Sequence, residues 1–265
     1  MAHTTSKSNA SDPAHGGLSI ALAGSGGSGV MTAGTLLLSA AAKAGAYGLM
    51  VRTSGPQIRG GEAAALLRIA REPVASLDDG FHLLLAFDWQ NVHRFADEIP
   101  LTGTSLIVGD EGEGEAPAAF VATGARVAAL PMKKMAKAIP GSWTNMVALG
   151  LAGTLAGLPR EAIDAALRDS WKRDEVSLAA NLAAIDAGAK AAAGIGSIPK
   201  LPKLSPGDGR WLISGNEAAG LGAIRGGVRF VAAYPITPAT ELLEWMAPAL
   251  AKVGASPARF FGRAG

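Results

Sequence analysis

Four glycines fall within six residues, Gly24-Ser-Gly-Gly-Ser-Gly29, between an apolar stretch and a helix-forming one. The spacing satisfies G-x-G-x-x-G, in which backbone N–H groups and a helix N-terminus can receive a phosphate. That would make Gly26, Gly27, Ser28 and Gly29 the anion-facing residues. The competing reading is that the glycines only let a strand and a helix pack closely. A dinucleotide fold would place Asp or Glu about 20 residues further on, to bind a ribose. Arg52 and Thr53 stand there instead, which weighs against NAD and leaves NADP open.

Arg59, in Arg59-Gly-Gly-Glu62, puts a guanidinium in a glycine-flanked loop where it could fork onto a phosphate or carboxylate. Asn145 follows Gly141-Ser-Trp-Thr144 at the start of a helical pattern, as either a capping-region residue or a polar ligand contact. Tyr234-Pro-Ile-Thr-Pro238 sits between a strand-like and a helix-like stretch, with Pro235 and Pro238 stiffening the turn around Thr237. Such rigidity suits a hydroxyl that must be aimed, although a plain connector with Thr237 near an N-cap fits the same residues. Asp88 follows an apolar run and reads more readily as a cap than as a catalytic acid, and His82 and His93 read as structural or surface residues. No Ser/His/Asp, Cys/His or H-E-x-x-H arrangement is present.

The elements that must position these residues alternate. Leu18–Ala23 reads as a strand, Val30–Lys43 as a helix, and Leu49–Thr53, Ala63–Ile69, Phe81–Phe87 and Ser105–Val108 as further strands. That alternation predicts an α/β fold with a doubly wound, mainly parallel sheet. Helices follow at Met132–Ile139, Thr144–Leu155, Arg160–Lys172 and Glu175–Ala189, expected to cover one face of the sheet. The segment Ala193–Gly209 holds three prolines and no period, and reads as a linker. A fresh α/β start follows: strands at Arg210–Ser214 and Val228–Ala233, helices at Asn216–Arg225 and Ala239–Ala251.

Of the 265 residues 49% are hydrophobic and only 5% aromatic, so the core must come from Ala, Leu, Val and Ile packed closely between helices and a buried sheet. Twenty-four basic residues against 22 acidic ones give a formal charge of +2, which argues for no nucleic-acid partner. With no Cys the chain can hold neither a disulfide nor a cysteine-ligated iron–sulfur cluster, so any redox centre must sit on a partner. Met1–Gly17 is polar and lacks the charged and apolar regions of an export signal, which predicts a disordered tail on a cytoplasmic protein. Leu18–Ala42 carries no charge over 25 residues, long enough to span a bilayer. The glycines interrupt it where a spanning helix should be most continuous, so strand, turn and helix are expected there and no membrane span.

Taken together, the pieces resemble the 2-oxoacid:ferredoxin oxidoreductases, specifically the alpha subunit of the 2-oxoglutarate type, in which a gamma domain is fused ahead of the alpha domain. The resemblance rests on Gly24–Gly29, on Gly55-Pro-Gln-Ile-Arg-Gly-Gly-Glu-Ala63, on Asp88-Trp-Gln-Asn91 and on Asn145-Met-Val-Ala-Leu-Gly150. It continues with Gly215-Asn-Glu-Ala218 and Tyr234-Pro-Ile-Thr-Pro-Ala-Thr240 and covers about Leu18 to Lys252. It implies a thiamine diphosphate enzyme that decarboxylates a 2-oxoacid, passes electrons through iron–sulfur clusters to ferredoxin, and releases an acyl-CoA. The gamma domain is then associated with coenzyme A, with Gly26–Gly29, Arg59 and Asn145 as contacts. The loop holding Tyr234 and Pro235 lies by the thiamine, and Thr237 is the candidate catalytic contact to the 2-oxoacid. A beta subunit supplies the pyrophosphate site, the Mg ion and the clusters, making the assembly a hetero-oligomer.

Two departures qualify the resemblance. Ser28 stands where the family often has Gln, and the segment after Lys252 lacks the acidic strand and helix whose glutamate would activate the thiamine aminopyrimidine. The chain is therefore expected to be a truncated form, inactive by itself. The expected organisation is a tail over 1–16, a gamma-type domain over 17–194, a Pro-rich linker over 195–208 and an incomplete alpha-type unit over 209–265. Two other readings stand beside it: an NADP-binding Rossmann-type oxidoreductase and a non-catalytic assembly scaffold.

Overall fold

The computed structural model describes residues 17–55, 61–90, 92–205, 210–234, 236, 239–252 and 259–260. Contacts divide the chain into two compact units, Met1–Asp208 and Gly209–Gly265. The centre of the first is β1 (Gly17–Ser25), whose alternate side chains feed two cores. Leu18, Ile20 and Leu22 face one side, Ala21 and Ala23 the other, as the two-residue period of a strand requires. A strand buried on both faces reads as an unbroken apolar run, which is what Leu18–Ala23 is.

From β1 the chain turns into α1 (Val30–Lys43), then runs through β2 (Tyr47–Ser54), β3 (Glu62–Ala70), β4 (Leu83–Ala86), β5 (Leu106–Asp110) and β6 (Arg126–Leu130). The six strands lie in the order β2-β3-β1-β4-β5-β6. Strands β1, β4, β5 and β6 pair in parallel, while β3 runs antiparallel to both β1 and β2. The mainly parallel α/β fold is therefore present, with one reversed strand set against β1. Helices α3 (Met132–Lys137), α4 (Thr144–Leu155), α5 (Arg160–Ser170) and α6 (Glu175–Ile195) join α1 in the larger core on one face. The other face is covered more thinly, by a 3-10 turn at Val92–Phe95 and the short α2 (Ala118–Val121). Leu18–Ala42 is strand, turn and helix, and no described helix is long and apolar enough to cross a membrane.

Several boundaries differ from expectation for identifiable reasons. Strand β6 and helix α2 carry no long apolar run, since β6 is half exposed at the sheet edge. The expected Pro-rich linker over 195–208 is partly core. Helix α6 runs on to Ile195, Ile198 and Leu201 are buried, the Leu201 N–H donates to the Ala156 carbonyl at 3.0 Å, and Arg126 Nη2 donates to the Ser197 carbonyl. Two isolated apolar side chains, Ile198 before Pro199 and Leu201 before Pro202, suffice to pin it, at about 1.5–3 kcal/mol for each fully buried Leu or Ile.

In the second unit α7 (Gly215–Arg225) opens on a capping box, the Ser214 hydroxyl accepting from the Glu217 N–H while Glu217 Oε2 accepts from the Ser214 N–H at 2.6 Å. Helix α8 (Ala239–Lys252) crosses it at Gly220, where a Cβ would lie 2.7 Å from the Trp245 ring. Residues 210–214 are not the expected strand, and the expected strand at Val228–Ala233 shrinks to β7 (Ala232–Ala233), paired in parallel with β8 (Arg259–Phe260). A strand exists only where a neighbour takes its hydrogen bonds, and Ser214 is committed to capping α7.

One titratable group ties the fold to pH. His82 Nδ1 accepts the Ser19 N–H at 3.0 Å, and burial holds its pKa below the ordinary 6.5 against the opposing pull of Asp78. Neutral His82 is the form the native state keeps, so its contribution is present above about pH 6.5 and is lost as pH falls through the lower native value. The thermal midpoint is expected to fall between pH 7.5 and 5.5, and His82→Asn, which keeps an acceptor but cannot titrate, to flatten that slope. An unchanged slope in the variant would assign the loss elsewhere.

Candidate functional site

The glycine segment lies where β1 ends beside β4, at the carboxyl end of the parallel strands, where open α/β sheets bind ligands. Its shape is fixed from three sides. The Ser25 N–H and hydroxyl both donate to Asp88 Oδ2, at 2.9 and 2.6 Å. Ser28 closes the turn by donating its N–H and hydroxyl to the Ser25 carbonyl, at 3.1 and 2.6 Å. The Gly26 N–H donates to the Gly61 carbonyl at 2.6 Å. Gly27 and Gly29 have φ of 93° and 91°, the left-handed region open to glycine at little cost. Gly29 is the N-cap of α1 and offers no side-chain cap, so the first N–H groups of the helix face the cavity with their partial positive charge.

The cavity above this turn has a volume of about 580 Å³ and is walled by Gly27, Ser28, Gly29, Thr32, Asn145 and the segment Ser142–Thr144 on one side, and by Lys133, Ala136 and Lys137 of α3 on the other. Among the described residues no carboxylate lines it. Asn145 is 4% exposed, and its Nδ2 donates to the Gly29 carbonyl at 3.4 Å, so its side chain braces the turn from α4. Lys133 is ion-paired with Glu113, whose hydrogen bond holds the ammonium above its usual pKa, and its backbone N–H donates to Asp110 Oδ2 at 2.7 Å. Lys137 is exposed and in no ion pair among the described residues. Together they place a glycine turn, a helix N-terminus and two ammonium groups, one of them paired with Glu113, around one space, donors of the kind that can receive a polyanion such as a diphosphate.

Of the residues singled out from sequence, Gly27, Ser28, Gly29 and Asn145 meet in this cavity. Gly26 is not among the residues that line it, and its N–H is engaged by the Gly61 carbonyl. Ser28 brings its hydroxyl to the Ser25 carbonyl. Arg59, Pro235 and Thr237 lie outside the described residues, and Tyr234, in the second unit, is 67% exposed. Asp88 holds the glycine turn through Ser25 rather than capping a helix, and its Oδ1 is buried without a partner among the described residues. Glu62 is 6% exposed, and its backbone carbonyl accepts the Gly55 N–H at 3.0 Å. Its own backbone N–H and then the Arg94 guanidinium at 2.9 Å hold its carboxyl below the usual range. Sequence reasoning missed Lys133 and Lys137. Their signal was the four-residue spacing in Met132-Lys-Lys-Met-Ala-Lys137, which puts both on one face of a helix.

The fold and cavity define an α/β domain with a glycine turn at the carboxyl end of its parallel strands, and comparison makes the class specific. Residues 19–191 match the pyruvate ferredoxin/flavodoxin oxidoreductase family, and the chain belongs to that family. Residues 221–262 match a second description, pyruvate flavodoxin/ferredoxin oxidoreductase, thiamine diphosphate-binding. Over 183 residues the chain is 28% identical to the ketoisovalerate oxidoreductase subunit VorA of Methanothermobacter thermautotrophicus, covering 68% of this chain and 37% of the relative. Over 42 residues it is 57% identical to the 2-oxoglutarate synthase subunit KorA of Methanocaldococcus jannaschii, 16% of this chain and 12% of that one. Among solved structures, a 2-oxoglutarate:ferredoxin oxidoreductase from Magnetococcus marinus, with 2-oxoglutarate, coenzyme A and succinyl-CoA bound, is 30% identical with a TM-score of 0.81, covering 93% of this chain and 43% of that one. A keto/oxoacid ferredoxin oxidoreductase gamma subunit from Geobacter sulfurreducens shares the fold, at 23% identity and a TM-score of 0.56 over 68% of this chain and 98% of its own. The chain thus spans less than half the length of the Magnetococcus and VorA chains it matches.

Proposed function

We propose that this chain works in a 2-oxoacid:ferredoxin oxidoreductase as the part that holds coenzyme A, with 2-oxoglutarate as the leading 2-oxoacid. The carrying observation is the cavity in which the Gly27–Gly29 turn, the start of α1, Lys133 and Lys137 converge with no carboxylate among them. The pyrophosphate of coenzyme A fits that charge and donor set, with Asn145 keeping the turn in shape. Support for the 2-oxoglutarate reading comes from the KorA segment and from the Magnetococcus enzyme. Thiamine diphosphate, when bound, supplies the carbanion-stabilising chemistry of decarboxylation. In this proposal Tyr234, Pro235 and Thr237 border it and Thr237 contacts the 2-oxoacid. A beta subunit holds the metal-bound pyrophosphate and also the clusters, for which the 265 residues offer no Cys, and ferredoxin takes the electrons from that subunit. The chain without that partner is then inactive in 2-oxoacid oxidation.

The NADP reading is disfavoured by topology. A dinucleotide fold needs the second strand parallel and next to the first, but the antiparallel β3 occupies that place and β2 lies at the sheet edge. Titration calorimetry with coenzyme A, NAD and NADP in parallel tests this directly. Coenzyme A is expected to bind at least about tenfold more tightly than either nicotinamide. Tighter binding of NAD or NADP would end the assignment, and no binding of any of the three would favour the scaffold reading.

A further inference from the structure

The two ammonium groups that line the glycine pocket are not equivalent. Lys137 is in no ion pair among the described residues, whereas Lys133 is held by Glu113, which does not itself line the pocket. The pair joins two neighbouring strand ends. After β5 the chain makes one 3-10 turn, Glu111–Glu113, and after the parallel β6 it enters α3, so both elements leave the carboxyl end of the sheet. Asp110, 2% exposed, ties their main chains together: its Oδ1 accepts the Gly112 N–H at 2.9 Å and its Oδ2 accepts the Lys133 N–H at 2.7 Å. That clamp fixes both backbones and leaves the two charged side chains, which are 27% and 44% exposed for Glu113 and Lys133, in reach of each other and of water. Gly114, which ends the turn at φ 84°, has nothing within 4 Å of a Cβ position, so no packed neighbour holds this end of the turn against the protein. Glu113 can therefore release Lys133 to another anion and turn to solvent at the modest cost of a partly exposed ion pair.

We propose that Glu113 is a built-in competitor for Lys133: an entering diphosphate must take the ammonium from this carboxylate, and on release Glu113 takes it back. The inference rests on the coenzyme A reading and adds to it a residue that sets how long the ligand stays. Coenzyme A and an acyl-CoA carry the same diphosphate, so the competitor weakens both alike. Loss of such uniform binding leaves the chemical step untouched and speeds departure of the product, the step that limits many enzymes. Asp110 is what makes the competition repeatable, because it keeps the Glu113 turn and the start of α3 together whichever partner Lys133 has.

The test is a double-mutant cycle on the full chain with coenzyme A and inorganic pyrophosphate as probes. Affinity is read by calorimetry and release by stopped-flow tryptophan fluorescence, since Trp143 lines the pocket. Glu113→Gln is expected to tighten both probes by about three- to fivefold, the scale of one partly exposed ion pair, mostly through slower release. Lys133→Gln should weaken both by about fivefold or more, and adding Glu113→Gln to it should change affinity by less than about twofold, because nothing is left to compete for. Thermal melts establish that each variant is folded. Coenzyme A binding that is equal with and without Glu113→Gln would overturn the competitor and leave the coenzyme A assignment standing. The same gain whether Lys133 is present or replaced would mean plain repulsion by the carboxylate, and would overturn it too. A pyrophosphate response to Glu113→Gln without coenzyme A binding would sustain the competition for a diphosphate and sink the coenzyme A assignment. Failure of both probes to bind would overturn both.

Discussion

Gly29→Ala is expected to weaken coenzyme A binding by about 30-fold or more, roughly 2 kcal/mol, from one added methyl group. Two costs coincide at this residue. With φ at 91° an alanine would sit in the left-handed region, which costs about 1–2 kcal/mol. Its Cβ would also lie 2.6 Å from Nδ2 and 2.7 Å from Cγ of Asn145, a side chain that is 4% exposed and already bonded to the Gly29 carbonyl. The turn must move or Asn145 must leave, and either outcome re-aims the first N–H groups of α1. Gly27→Ala isolates the two effects, because its φ is 93° but nothing lies within 4 Å of the added carbon. That variant should lose only a few-fold, and Gly29→Ala combined with Asn145→Gly should recover part of the loss. Thermal melts of all three establish that each chain is folded. Equal losses in Gly27→Ala and Gly29→Ala would show that the Asn145 contact does not set the site.

Gly188→Ala should produce the largest loss of stability, about 3 kcal/mol or more, with a midpoint lower by roughly 6–12 °C. Helices α4 and α6 touch backbone to backbone. A Cβ on Gly188 would fall on the Val147 carbonyl oxygen and lie 3.0 Å from the Leu151 N–H nitrogen, and one on Gly150 would fall on the Ile185 carbonyl oxygen. No rotamer change relieves such contacts, because the obstacles are main-chain atoms inside helices, so the two helices must separate and the apolar residues between them lose their packing. The same substitution at Gly194 near the end of α6, where nothing lies within 4 Å, should instead stabilise by ~0.5–1 kcal/mol through helix propensity alone. Opposite signs at 188 and 194 in thermal or urea unfolding bear out the close crossing; two small stabilisations would refute it. Because α4 carries Asn145 and Trp143 is its N-cap, the damaged variant should lose coenzyme A binding as well.

What the sequence determined by itself was local. Val30–Lys43 and Thr144–Leu155 read as helices with the bounds they have, because Gly29 and the Gly141–Trp143 turn punctuate uninterrupted helix formers. The apolar run of β1 and the glycine turn after it were legible for the same reason: a strand period and a tight turn are properties of neighbouring residues. The tertiary structure alone decided what those residues face. Nothing local says that β3 reverses and inserts between β1 and β2, or that the Ile198–Leu201 segment is drawn into the core, since both depend on which apolar surface lies free when the sheet assembles. The site is the same case. Ser25 meets Asp88 63 residues away, Asn145 meets Gly29 across 116, and Lys133 and Lys137 reach the glycine turn only because β6 runs parallel to β5 and so delivers α3 to the carboxyl end of the sheet. Residue types and spacing set which chemistry was possible, and the order of strands set which of those groups share one space, because burying a two-faced sheet fixes contacts that no periodicity records.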